Sequence, residues 1–257
     1  NYVKSWADYE NWNNNTDWVD EVTQFGPQHE FNFNLSGGGE KATFRIAAGY
    51  KHQTGSVIKQ NFQQFTTRLA LDYNVSDRIR FSAEFPLTYT NNIKNAKGLL
   101  GIAQKLAPNM SIYRQNADGT DTDEYYLMNP SGNATQGNYS SNQLKDIRDL
   151  GNPIAIANLA WAKEQTYRIT PDFNVKYELL GIDSESHRLT FNGRVDFDIY
   201  ANSKPSYTPE GLQTGTGINE SWNASANSKT NRFKIGARAE LVFYPHIKNK
   251  DINMSML

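Results

Sequence analysis

The sequence predicts an all-β protein, an antiparallel up-and-down transmembrane β-barrel segment contributing about eight strands of a larger barrel, with long extracellular loops. Three observations predict it. Apolar and polar residues alternate in runs as long as the roughly 9 to 11 residues that a tilted strand needs to cross a bilayer. The connections between runs alternate between short and long, as periplasmic turns and surface loops do. The sequence also lacks amphipathic helices able to cover a sheet of this size. Mean hydropathy is -0.70, which suits strands that face lipid on one side only.

A lead-in or extracellular-loop segment, 1–28, carries Trp6, Trp12 and Trp18. A partial barrel, 29–257, follows, with long loops at 92–163 and 201–229. Phe31, Phe33 and Leu35 form the first short run, and Ser36 to Glu40 turns the chain. Phe44, Ile46, Ala48 and Tyr50 line one face of the second run. Phe65, Leu69, Leu71, Tyr73 and Val75 make the third, Ser76-Asp77 a tight turn, and Ile79 to Tyr89 the fourth. Within the first long loop, Lys97 to Leu106 is a short helix whose Leu99, Leu100, Ile102 and Leu106 pack inside the loop or against a partner. Three more runs follow: Tyr167 to Leu179, Leu189 to Ile199 and Phe233 to Phe243. Ile252, Met254 and Met256 begin an alternation that stops without a turn or cap, and no leader peptide is visible at the start, so the chain reads as a fragment.

Composition excludes several classes. Lys+Arg number 26 against 27 Asp+Glu, so bulk phosphate attraction and nucleic-acid binding are not expected. The absence of Cys removes thiolate catalysis and Cys-ligated metals. His29, His52, His187 and His246 show no metal-ligand or triad spacing. No catalytic residue, cofactor or enzymatic activity is therefore expected. Asp118, Asp121 and Asp123 lie close enough in sequence to suit a hard cation such as calcium, although the order of ligands in an EF-hand loop is missing and a solvated acidic turn is the simpler reading.

The polar half of the alternation points to function. Arg68, Arg80, Glu84, Arg168, Asp172, Arg194, Asp196, Arg238 and Glu240 would project into the lumen, pairing with one another or with a plug domain. Tyr50, Tyr73, Tyr89, Tyr177 and Tyr200 suit aromatic girdles on the lipid face. Substrate or partner contacts fall to loop aromatics set among amides and hydroxyls, namely Tyr113, Tyr125, Tyr126, Trp161, Tyr207 and Trp222, which could stack on sugar rings or pack within the loops.

Several of these segments together resemble the SusC/RagA-type TonB-dependent outer-membrane transporters of Bacteroidetes. The resemblance is carried by Asn15-Thr16-Asp17-Trp18-Val19-Asp20-Glu21-Val22, the Ser36-Gly37-Gly38 turn and the strand ending Gly49-Tyr50. It continues through Pro108-Asn109-Met110-Ser111-Ile112-Tyr113, Asn152-Pro153-Ile154-Ala155 and Ala157-Asn158-Leu159-Ala160. It implies a barrel of roughly 22 strands closed by an N-terminal plug, the bacterial outer membrane as location, and nutrient import coupled to the TonB complex through the plug. A SusD-like surface lipoprotein as lid is also implied, with oligosaccharide as the expected substrate and peptide as its main rival. The plug and the TonB-contacting segment are not in the sequence. The alternative is a secreted soluble β-sandwich or β-barrel module that binds carbohydrate. It requires a second apolar surface over the strands.

Overall fold

The computed structural model describes residues 9–126, 151–181, 187–210, 212 and 223–246. Ten strands form: β1 (Gln28–Gly38), β2 (Ala42–Thr54), β3 (Asn61–Asn74), β4 (Ile79–Lys94), β5 (Tyr113–Gln115), β6 (Asp121–Tyr125), β7 (Trp161–Ile169), β8 (Asp172–Leu180), β9 (Arg188–Thr208) and β10 (Ala224–Tyr244). All but β5 and β6 join one antiparallel sheet in the order β1, β2, β3, β4, β7 with β8, β9, β10. Within this sheet, with β7 and β8 counted as one strand, each successive strand is a sheet neighbour, as up-and-down connectivity requires. β7 and β8 are one path: Leu87 pairs with Ile169 and Glu84 with Asp172, so the register against β4 runs unbroken. Pro171 lacks a donor, yet its carbonyl accepts from the Phe197 amide at 2.9 Å and the Thr170 amide donates to the Pro86 carbonyl at 3.1 Å. The ladder therefore passes through the interruption.

Register converts the period-two pattern into a belt. Phe31, Tyr50, Phe65, Tyr89 and Tyr167 are successive cross-strand partners, one aromatic row across five strands. Ile79, Tyr177, Phe191 and Leu241 form a second row near the turn end. Ten residues separate Tyr89 from Ile79 on β4. At about 3.3 Å per residue and a tilt of about 40°, that is roughly 25 Å of height, the thickness of the apolar band of a membrane barrel. Phe31, Phe33, Phe233 and Ile235 are 58 to 66% exposed, and nothing among the described residues covers this face. A soluble sandwich would bury it.

The turns at the lower end are tight. Ser76 and Ile79 exchange amide-to-carbonyl bonds at 3.2 Å, and the Ser76 hydroxyl accepts from the Arg78 and Ile79 amides. Gly38 sits where a Cβ would come within 2.7 Å of the Ala42 carbonyl, which is why the Ser-Gly-Gly turn needs glycine there. The turns at 181–186 and 246–250 and the last run at 252–256 lie wholly or largely outside the described residues.

At the other end the strands overshoot the belt. β9 and β10 are 21 residues each and β4 is 16. The long loops are accordingly shorter than the sequence suggests, because β4 continues to Lys94, β7 begins at Trp161, β9 runs to Thr208 and β10 starts at Ala224. The alternation fades above the belt since both faces become polar there, while the backbone ladder continues.

Above the strands, separate segments share one hydrophobic core. Its members are Trp18, Val22, Leu99, Ile102, Ala103, Leu106, Met110, Tyr126, Ile154 to Ala157, Ala160 and Leu212. Three short helices supply most of them: α1 (Trp18–Val22), α2 (Leu99–Ala103) and α3 (Pro153–Leu159). Asp17 caps α1 through the Val19 and Asp20 amides, as an Asp N-cap should. The helix expected over Lys97 to Leu106 is realised as α2, with Leu99, Ile102 and Leu106 inside this core and Leu100 exposed. α3 was not anticipated, although Asn152 as cap and Pro153 at the first helical position are its start signal.

Candidate functional site

Two regions bear candidate residues: the polar face of the sheet and the cap. The register places Arg68, Arg80, Glu84, Arg168, Asp172, Arg194, Asp196, Arg238 and Glu240 on the face opposite the apolar belt. There they form short chains of ion pairs. Arg68 meets Glu84, and Arg238 meets Glu240. Arg194 lies 2.6 Å from Asp172 and 3.8 Å from Asp196. Gly236 faces Asp196, and a Cβ there would approach that carboxylate to 2.7 Å. Arg168 and Arg232 share Asp198, at 3.0 and 2.9 Å. Asp198 and Arg232 were not singled out in the sequence, although both fall on the polar beat of their runs. Tyr200 also faces this side, with the Arg232 guanidinium 4.9 Å from its ring. That corrects its assignment to the lipid girdle: an even position on β9 shares the parity of Asp196 and Asp198.

Arg80 forms no ion pair among the described residues. Together with Lys176, Arg194 and Arg238 it lines a groove of about 560 Å³ that also holds Asp72 and Glu240. Side chains here are partly exposed, so solvent screens each pair and it adds little to stability. Their arrangement matters more as a charge pattern than as a source of stability.

Beyond the belt, on the same face, Glu164 accepts from Lys94 at 2.5 Å and Lys204 at 3.1 Å, with Asn202 at 3.3 Å. Glu164 stands three residues outside Tyr167, clear of the apolar band. The hydrogen bonds from Lys94 and then Lys204 hold its carboxyl down at about 2.

In the cap, the lead-in is fastened to the first long loop by polar bonds as well as by the core. Trp12 Nε1 donates to the Tyr126 hydroxyl at 3.0 Å, Trp18 Nε1 to the Ala107 carbonyl at 3.0 Å, and the Thr16 hydroxyl to the Met110 carbonyl at 2.9 Å. Asn152 is 1% exposed and uses its whole carboxamide. Its oxygen accepts from the Ile154 and Ala155 amides, and its nitrogen donates to the Ile112 and Tyr126 carbonyls at 2.7 and 3.2 Å.

The loop aromatics separate into different environments. Tyr126 is a core residue, 7% exposed, rather than a free stacking surface. Tyr113 and Tyr125 stack on each other across the β5–β6 hairpin with centroids 5.2 Å apart, and burial pushes the Tyr125 phenol up. Trp161 and Tyr207 are cross-strand partners at the ends of β7 and β9, not loop residues. They share the parity of Tyr167 and Ile169, so they stand on the belt side of the sheet, away from the charged face. Trp222 lies outside the described residues.

Asp118 is used within its own turn. The Thr120 hydroxyl and amide both donate to its carboxylate and hold it below the usual range. Asp121 pairs with the Gln115 carboxamide. Among the described residues no three His, Asp or Glu side chains converge in a way that could hold a metal ion.

No family model matches the chain. The TonB-dependent receptor P39 of Formosa agariphila is 24% identical over 179 residues, which is 69% of this chain and 17% of that protein. Among solved structures, the RagAB peptide importer in its open-open state superposes with a TM-score of 0.54 at 11% identity, over 91% of this chain and 31% of that one. The RagAB peptide transporter gives 0.50 at 13% identity, over 90% and 31%.

The chain has the fold of a SusC/RagA-type TonB-dependent transporter barrel.

It spans less than a third of the length of the proteins it matches. The TonB-dependent receptors and RagAB are outer-membrane proteins of Gram-negative bacteria, and the row from Phe31 to Tyr167 has the make-up of the aromatic girdle of a membrane barrel. The sheet thus has its two faces sorted by chemistry: aromatic and aliphatic on one, ion-paired on the other.

Proposed function

We propose that the chain is a wall section of an outer-membrane importer that takes up nutrients under TonB control. The observation that carries this is the ladder of ion pairs, Arg68–Glu84, Arg194–Asp172 and Arg168–Asp198–Arg232, on the face opposite a lipid-width apolar belt. A wall with fixed charges of both signs suits a passage filled with water and a plug. On this reading the nine polar-face residues predicted from sequence face the lumen, and the groove around Arg80, Lys176, Arg194 and Arg238 receives the plug. The cap presents Val19, Phe25, Leu100 and Leu159 to a SusD-like surface lipoprotein. No residue catalyses a reaction.

For the substrate, peptide is favoured over neutral oligosaccharide. Among the described residues, the aromatics expected to stack on sugars are buried (Tyr126), paired together (Tyr113 with Tyr125) or turned to the lipid side (Trp161 with Tyr207). The polar face at the outer end instead offers Lys94, Glu164 and Lys204, which match the alternating charges of a peptide. The test is uptake by cells whose sole copy of the full-length protein is wild type or deleted, with and without an uncoupler. Energy-dependent import of labelled peptides, lost on deletion, is expected. Import of oligosaccharides alone would overturn the substrate assignment, and import of neither would overturn the importer reading.

A further inference from the structure

We propose that the outward face of β7, β9 and β10, just beyond the aromatic girdle, binds the phosphorylated sugar headgroup of an outer-leaflet lipid. The inference rests on the barrel reading and goes beyond it. Directly above the girdle, the next outward row reads His29, His52, Gln63, Asn91, Gln165, Ser203 and Lys229 through successive cross-strand pairs. On all five girdle strands the outward residue two positions above the girdle is polar, while on β9 and β10 the girdle row itself continues as Ala201 and Asn231. This face points away from the barrel axis, so what meets it is the headgroup layer and not transported cargo.

The charges on it are of one sign. On β7, β9 and β10 the outward positions above the girdle are Trp161, Lys163, Gln165, Ser203, Pro205, Tyr207, Ser225, Asn227 and Lys229, with no carboxylate. At the same height on the opposite face, Lys94 and Lys204 are neutralised by Glu164. Lys163 and Lys229 have no acidic partner among the described residues, and Lys163 rests 5.0 Å from the centre of the Trp161 ring. The register on either side, Ala162 with Ser206 and Gln165 with Ser203, sets Lys163 level with Pro205, and Lys229 pairs with Ser203 two residues below. With strands about 4.8 Å apart and about 3.4 Å per residue, their Cα atoms lie roughly 12 Å apart. Two lysine side chains reach across that gap to one phosphate above Ser203 and Pro205. Around them, Gln165, Ser203 and Asn227 offer amide and hydroxyl groups to sugar hydroxyls, and the Ser203 hydroxyl already bonds to the Asn227 carboxamide at 3.0 Å. The Trp161–Tyr207 pair, with centroids 6.3 Å apart, supplies an apolar ledge for a ring face. Phosphate, sugar hydroxyls and acyl chains together identify a phosphorylated glycolipid.

The test uses the full-length protein purified in detergent from outer membranes, with monophosphorylated lipid A and its dephosphorylated form as probes in native mass spectrometry. Wild type should retain the phosphorylated form about tenfold better than the dephosphorylated form. Lys163→Gln combined with Lys229→Gln should abolish that preference, while Lys94→Gln combined with Lys204→Gln should keep it. Equal retention of both lipids by wild type, or loss of preference in the Lys94/Lys204 variant alone, would overturn the proposal. Failure of wild type to partition into outer membranes would instead overturn the barrel reading on which it rests.

Discussion

Replacing Asn152 by Ala should loosen the cap without disturbing the barrel wall. Asn152 caps α3 through the Ile154 and Ala155 amides and holds the Ile112 and Tyr126 carbonyls. Loss of the cap costs about 1 kcal/mol. The Ile112 carbonyl keeps a second partner, the Tyr126 amide at 2.9 Å, so the further loss is the hydrogen bond from Asn152 to the Tyr126 carbonyl, worth about 0.5 to 1.5 kcal/mol. The sum is about 1.5 to 2.5 kcal/mol, and at 1.4 kcal/mol per factor of ten this corresponds to a roughly 10- to 60-fold fall in amide protection. Hydrogen exchange of the full-length protein in detergent reads it directly, in α3 and around Tyr126, with the amides of β3 and β9 as internal reference. Asn152→Ser keeps an N-cap oxygen but not the donors, so its effect should be intermediate. Unchanged protection in the alanine variant would refute the assignment of Asn152 as the tie between α3 and the Tyr113–Tyr126 segment. Equal loss in β3 and β9 would show that cap and wall unfold together.

Three other perturbations address different parts of the molecule. Leu69→Arg, at mid-belt and 47% exposed, should destabilise the membrane-inserted protein by about 2 to 4 kcal/mol, and Phe81→Arg nearer the lower rim by less, as measured by urea unfolding in lipid vesicles. Trp18→Ala should cost the cap about 3 to 5 kcal/mol by emptying a site that is 3% exposed, seen as faster proteolysis of the surface segments in intact cells. Glu164 is held below its ordinary 4.5, at about 2, so its ion pairs contribute fully above 4.5 and the contribution is lost as the pH falls toward 2. Glu164→Gln should therefore flatten the pH dependence of stability within that window, and an unchanged profile would count against the pairing.

The wall was legible because its chemistry is local: residues two apart share a face, and the alternation from Phe44 to Tyr50 or from Ile79 to Tyr89 needs no tertiary information. Even the interruption at Pro171 left the run from Tyr167 to Leu179 readable. The cap was not legible, because Trp18, Leu99, Met110, Ile154 and Leu212 are gathered from segments that are far apart in sequence and carry no shared period. The same limit affected Trp161 and Tyr207. Above the girdle both faces are polar, so parity counted upward from Tyr167 and Ile199 was the remaining clue, and it required knowing that the strands continue.

The cap also constrains the order in which the chain can assemble. Its core brings Trp18 together with Ile154 and Leu212, contacts of high sequence separation whose closure entropy falls only after the intervening strands have paired. β1 to β4 must zip, and β7 to β9 must join them, before those apolar side chains have anywhere to go. Cap formation is thus a late event that reports completion of the sheet beneath it, and until then Trp18, Met110 and Ile156 remain exposed apolar surface.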